Sequence, residues 1–407
     1  MYSETNVPTT LLIDLDDTLL LNPMETFIPA YLKKLSEHLS NYVEPSAVVQ
    51  QLLWATAQMA QNKRPDCTLK EIFDSLSYPS LNIKQEDVKE AIDEFYREIF
   101  PSLKQLTRPR PGAVKFIEEA IDRGYTIAIA TNPLFPKTAI TQRMKWAELP
   151  DDGFPFTIVP SYETFHYAKP DPAYLAELMA KIGWPDGSVV MVGNDATSDI
   201  PAAIGLGVDA YWAPVNGSDL EGDLFGAVGN GDIAKFFDWF DNNEIESNQP
   251  DYNSPEAMLA ILRSTPAALD SFCRDLDEVA LTEKPEPDEW SQTEVLCHLR
   301  DVEAEVNLER VDKVLNEYNP FITGQDTDPW AQQRNYVTQD GLHALGTFTN
   351  LRIKLVEKLE HITHTEWDRP ARHTILGPTN LHELIRIITA HDRIHIKQSL
   401  EIRRMLA

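Results

Sequence analysis

Asp14 and Asp16 stand one residue apart at the end of the apolar run Thr10-Leu11-Leu12-Ile13. On an extended backbone, residues two apart face the same side, so both carboxylates can converge on one ligand. Hard carboxylate oxygens suit Mg²⁺, which accepts phosphate oxygens in its remaining positions. Asp195 and Asp199 follow a second apolar run, SVVMVG. Thr131 closes a third, YTIAIAT, and Lys169 sits in Tyr167-Ala-Lys-Pro-Asp-Pro172 just before a helical pattern. A lone Asp-x-Asp is more often structural. Acids, a hydroxyl and an amine at three strand ends and one loop suggest phosphoryl chemistry instead.

The elements that must position these groups are short buried strands. Continuous apolar runs at 10–13, 125–131, 188–193 and 208–213 alternate with helical stretches such as 112–123 and 172–182. This alternation implies a right-handed parallel α/β sheet, Rossmann-like, with its site at the carboxyl ends of the strands. Residues 22–108 interrupt it with three helix-period segments and no strong strand, as expected of a helical lid inserted over the site. The expected organisation is an α/β core from 1–21 and 109–240, a cap at 22–108, a polar linker at 241–253 and an all-α four-helix bundle at 254–407. Within the bundle, Thr265-Pro266 is expected to restart the first helix after a short segment.

A second set of chemical residues lies in that bundle. His298 falls on the apolar seam Val295, Leu299, Val302, Val306. His391 and His395 share one helical face at i, i+4, continuing the seam Leu381, Leu384, Ile388. Three imidazoles facing one interior could share a divalent metal. The other reading is a core histidine with a solvated pair. Cys297 neighbours His298, but adjacent helical residues point about 100° apart. Trp290, Trp330 and Trp367 are expected to pack around helix starts.

The order Asp14-x-Asp16-x-Thr18, Thr131, Lys169, Gly193-Asn-Asp195-x-x-x-Asp199 resembles the four motifs of the haloacid dehalogenase-like (HAD) hydrolase superfamily. The resemblance implies Asp14 as nucleophile and Asp16 as general acid and base. It implies Thr131 and Lys169 as donors to the transferring oxygens. Asp14, the Asp16 carbonyl and Asp195 would hold Mg²⁺, supported by Asp199. Asn194 stands where some relatives place the metal aspartate. Because Asp16 is retained, phosphate-ester hydrolysis is favoured over dehalogenation. The segments Trp290–Glu303 and Leu381–Gln398, together with Asp328-Pro-Trp330, resemble the signatures of the DinB-like bundles. In that family three histidines, matched here by His298, His391 and His395, bind Zn²⁺, Ni²⁺ or Fe²⁺, so the resemblance implies a divalent metal site, and some members are thiol-dependent transferases or isomerases.

The implied activity is a Mg²⁺-dependent phosphatase for a small phosphorylated metabolite, fused to a metal-binding bundle. Two alternatives stand beside it: the bundle as the working thiol transferase, or as a non-catalytic binding or dimerisation module. Bundles of this kind often pair, so a homodimer is the analogy. Charge narrows the partners. With 36 Lys plus Arg against 64 Asp plus Glu, the net charge of −28 repels nucleic acid and anionic membranes. No apolar run reaches the roughly 18 residues of a spanning helix. The first ten residues lack a leader's pattern, and three scattered cysteines form no disulfide framework, so a reduced cytoplasmic protein is expected.

Overall fold

The computed structural model describes residues 8–215 and 224–406. Residues 1–7, on which the leader expectation rests, lie outside the described residues. The chain divides into two compact units, with the main boundary between Asp251 and Tyr252.

The first unit is built on five parallel strands: β1 (Thr10–Ile13), β4 (Thr126–Ile129), β5 (Val189–Gly193), β6 (Asp209–Trp212) and β7 (Gly229–Asn230), in the order β4-β1-β5-β6-β7. Every residue of β1 and β5 is buried, which is why these strands read as unbroken apolar runs. In the register, Ile13 pairs with both Ile129 and Val192. The residues that follow these three strands therefore emerge at one rim. The edge strand β7 is only two residues long and left no apolar run to find.

Two further strands, β2 (Leu20–Leu21) and β3 (Arg108–Pro109), pair antiparallel. All the residues between them leave and return through this ribbon. They form helices Met24–His38, Pro45–Ala60, Leu69–Ser80 and Gln85–Glu94, followed by a π-helical turn at Phe95–Ile99. Glu44 caps the second helix, and Thr68 with Glu71 forms a capping box on the third. Phe100 stacks on Trp146 at 5.3 Å and meets Phe27 edge-on at 6.1 Å, tying the inserted helices to the layer beside the sheet. The polar stretch after Phe240 is not bare coil: a short 3₁₀ turn, Ile245–Ser247, buries Ile245 in the same core.

The second unit has four long helical elements: Pro255–Cys273, Gln292–Asn316 with an internal π turn at Glu303–Asn307, Gly341–Glu360 and Leu381–Met405. Ser254, Ser291, Asp340 and Asn380 cap their N-termini through side-chain oxygens. Met258, Leu262, Val311, Leu355, Leu384 and Ile388 share the core. The first helix does not restart at Pro266; it runs straight through it. Proline removes the donor that Leu262 O would receive, and Arg352 Nη1 donates to that carbonyl at 3.2 Å instead. A small sheet, unforeseen in the sequence, is formed by β8 (Phe321–Ile322), β9 (Pro370–His373) and β10 (Gly377–Asn380). No helix among the described residues is long and apolar enough to cross a membrane.

Candidate active site and metal centre

Asp14 is the first residue past β1, and its amide donates to Val192 O of β5. The residue is 5% exposed. Oδ1 accepts from Lys169 Nζ at 2.8 Å, and Oδ2 accepts from the Thr18 hydroxyl at 3.0 Å. The Thr18 oxygen in turn accepts from the Asn194 amide at 3.0 Å, so β1's loop and β5's loop are pinned together. Asp17 makes the intervening turn at φ 57°, in the left-handed region, and its Oδ1 accepts from Asn22 N at 2.7 Å. Backbone held in that region commonly marks a functional turn.

Lys169 also donates to Asp199 Oδ1 at 2.5 Å, while Asp199 Oδ2 accepts from Asp195 N at 2.9 Å. Gly193 makes this possible. A Cβ there would sit 2.2 Å from Asp199 Oδ2, so only glycine lets that carboxylate close against the strand end. Asp195's own carboxylate is exposed and turns onto Thr197, accepting from its amide at 2.8 Å and its hydroxyl at 2.7 Å. Asp16 points another way: Oδ1 accepts from Asn22 Nδ2 at 2.8 Å, and Oδ2 pairs with the buried guanidinium of Arg143. Thr131 is 1% exposed and lines the same cavity as Asp14, Asp16, Asp195 and Lys169.

The structure thus gathers Asp14, Lys169 and Asp199 into one buried cluster and seats Thr131 beside it. It does not bring Asp14, Asp195 and Asp199 into a mutually close ligand set; among the described residues only the histidine trio forms one. The electrostatics still call for a cation. Burial pushes Asp14 up to about 7; Lys169 opposes this, and the charges of Asp199 and Asp16 add to it. Burial works against the Lys169 ammonium, but Asp14 and Asp199 outweigh it and raise its pKa. Lys169 and the Arg143 guanidinium are two cations against the carboxylates of Asp14, Asp16, Asp195 and Asp199, which leaves a negative excess of hard oxygen donors that fits Mg²⁺.

In the second unit, His298 Nε2 and His395 Nε2 each lie 3.1 Å from His391 Nε2. Burial pulls His298 down to about 3, with His395 and His391 adding to the shift. Burial likewise takes His391 to about 4, helped by Arg352, and His395 to about 4, helped by His391. All three are therefore neutral at pH 7. His395 Nδ1 lies 2.9 Å from Gln398 Oε1, a contact that puts the proton on Nδ1 and leaves the Nε2 lone pair facing its neighbours. Three neutral imidazole nitrogens converging in this way fit a divalent transition metal.

Sequence reasoning missed much of the support. Trp290, expected only to pack at a helix start, stacks on His395 at 5.8 Å with planes 4° apart. Arg352 is wholly buried and bridges Glu303 and Asp392, the residue after His391. Cys297 turns from the trio towards Gln339 Oε1 at 3.7 Å, and burial pushes its thiol up to about 11. Gln398, three residues from His395, carried a findable signal; Arg143, 127 residues from Asp16, carried none.

Residues 8–207 match the family model described as haloacid dehalogenase-like hydrolase, and residues 261–399 match the DinB superfamily. The chain carries a HAD-like hydrolase domain followed by a DinB-like domain. Solved structures similar to the HAD-like domain include a HAD phosphatase from Thermococcus onnurineus, at 18% identity over 59% of this chain and 100% of that one (TM-score 0.39). A 2-haloacid dehalogenase from Pseudomonas syringae is similar at 17% identity over 58% and 99% (TM-score 0.41). The DinB-like domain is similar to YfiT from Bacillus subtilis, described as a probable metal-dependent hydrolase with an unusual four-helix bundle topology, at 20% identity over 39% and 90% (TM-score 0.35). No curated protein matches the chain.

Proposed function

We propose that the HAD-like domain is a Mg²⁺-dependent phosphatase acting on a small phosphorylated metabolite through a phosphoryl-enzyme on Asp14. The observation that carries this reading is the buried Asp14 carboxylate, held by Lys169 and Thr18 at the sheet rim and lining the cavity that the inserted helices also line. Asp14 Oδ attacks phosphorus, the bond to the ester oxygen breaks, and that oxygen takes a proton from Asp16. Water then attacks phosphorus, gives a proton to Asp16 and releases Asp14. Lys169 and Thr131 donate to the transferring oxygens, where charge is greatest in the transition state. Asp14, the Asp16 carbonyl and Asp195 would hold Mg²⁺, with Asp195 turning off Thr197 to do so. Bound there, the ion neutralises charge on the phosphoryl oxygens.

Asp16 accepts on both oxygens in this structure, the geometry of the base half of the cycle. For the acid half it must release one of its two donors, Asn22 or Arg143. In the DinB-like domain, His298, His391 and His395 would hold the transition metal, which supplies a Lewis acid with open positions. Gln398 and Trp290 fix the His395 ring. A chemical role for this centre rests on no residue beyond the trio, so a thiol-transferase or binding role stays the second reading.

The test is hydrolysis of p-nitrophenyl phosphate by the intact protein with Mg²⁺ and with EDTA. Mg²⁺-dependent turnover that Asp14→Asn removes supports the reading. No turnover across a broad panel of phosphate esters overturns it.

A further inference from the structure

The cavity above Asp14 has a volume of about 1000 Å³, the upper end of what small-molecule sites occupy. All four inserted helices line it, and what they contribute is mostly hydrocarbon: Ile28, Leu32, Leu52, Phe73, Val88 and Ile92 among others. Several of these side chains are only part-buried, and Leu53 is 52% exposed, so the inserted helices leave apolar surface open towards the void. Soluble domains seldom keep such an apolar concavity without something to fill it.

Several of the polar groups on these walls already have partners. The hydroxyls of Tyr31 and Tyr96 bond to each other at 2.8 Å, which leaves their rings as the surface on offer. Lys70 is paired with Asp74. The charged residues Glu25, Lys89 and Asp93 are exposed and so sit at the rim. Ser77 Oγ is closed off within the wall, and the remaining polar side chains of the lining, such as Thr56, Tyr78 and Tyr162, are few and scattered among the apolar ones. A sugar or polyol would bring several hydroxyls to walls with only a few scattered partners for them, and each unmatched group is a penalty. With acids outnumbering lysines around the rest of the lining, an anionic body is disfavoured too.

We infer that the substrate is a phosphate monoester whose body is a large, uncharged hydrocarbon chain or ring system, its phosphate at Asp14 and its apolar part under the inserted helices. This rests on the phosphatase reading and narrows its substrate class. The apolar body gains binding with every buried methylene, at most about 0.8 kcal/mol, or about fourfold in kcat/KM per carbon.

The experiment measures kcat/KM of the intact protein with Mg²⁺ for ethyl, butyl, hexyl and octyl phosphate, with glycerol 3-phosphate and glucose 6-phosphate as polar-bodied comparators. The expected result is a rise of roughly 10²-fold or more from ethyl to octyl, with both polar esters near or below ethyl phosphate. Leu52→Glu and, separately, Ile92→Glu place a carboxylate on the apolar wall and should cut the octyl-to-ethyl ratio at least tenfold. A flat series, or glucose 6-phosphate as the best substrate, overturns the apolar-body inference while Asp14-dependent hydrolysis leaves the phosphatase reading standing. Hydrolysis of none of the esters overturns both.

Discussion

At the scale of single residues, the two candidate sites put opposite electrostatics to use. Around Asp14, carboxylates crowd a single lysine, and that lysine carries the arrangement. Lys169→Met should lower kcat/KM by about 10²–10³-fold, since it removes a donor aimed at the transferring oxygens. Activity assays beside a circular dichroism spectrum separate this loss from unfolding. Around His391, burial does the opposite work and keeps three bases neutral. Their folded pKa values lie at about 3, 4 and 4, below the ordinary 6.5. Between those values the unfolded chain binds more protons than the folded one. Stability from these groups is therefore complete above pH 6.5 and is lost as pH falls towards 4, by up to about 1.4 kcal/mol per pH unit for each histidine. Thermal melts of metal-free protein from pH 7 to pH 4.5 should show that decline, and His391→Ala should flatten it. A melting temperature equally steep in the variant would contradict this assignment.

At the scale of elements, close approaches decide what the helices and strands can present. Strand β5 ends in Gly193 because Asp199 occupies the space of a side chain there. Gly193→Ala should displace Asp199 and with it Lys169, lowering kcat/KM at least tenfold in a protein that still folds; kinetics with a melting curve checks both halves. In the bundle, Arg352 ties three helical elements by holding Glu303, Asp392 and the Leu262 carbonyl freed by Pro266. Replacing it with leucine strands two buried carboxylates, at a cost of about 3–5 kcal/mol. Urea denaturation of Arg352→Leu should show that loss; a loss under 1 kcal/mol would mean that the acids find other partners.

At the scale of the whole molecule, the net charge of −28 opposes the approach of a phosphate ester. Salt shortens the Debye length to about 10 Å at 0.1 M, so raising NaCl from about 20 to 200 mM should increase kcat/KM. A fall would point to attractive local steering at the cavity mouth. Much of this molecule was legible beforehand, and the reason is physical. Strands buried on both faces leave apolar runs, and the acids after β1 and β5 share a rim because parallel strands end together. The histidine seam was visible because helical periodicity writes it along the chain. What stayed hidden depends on distant contacts. The pairing of Arg143 with Asp16, the stacking of Trp290 on His395 and the passage of a helix through Pro266 are each decided by residues far away in sequence. Strands β7 and β8, two residues each, are too short to show a period at all.

The step on which the phosphatase reading turns is transfer of the phosphoryl group to Asp14. Its most direct measurement is mass spectrometry of peptides from protein acid-quenched during turnover of a phosphate ester with Mg²⁺. A phosphoryl adduct on the peptide containing Asp14, absent in Asp14→Asn, is the result expected. Turnover without an adduct there, or an adduct on another residue, would contradict it.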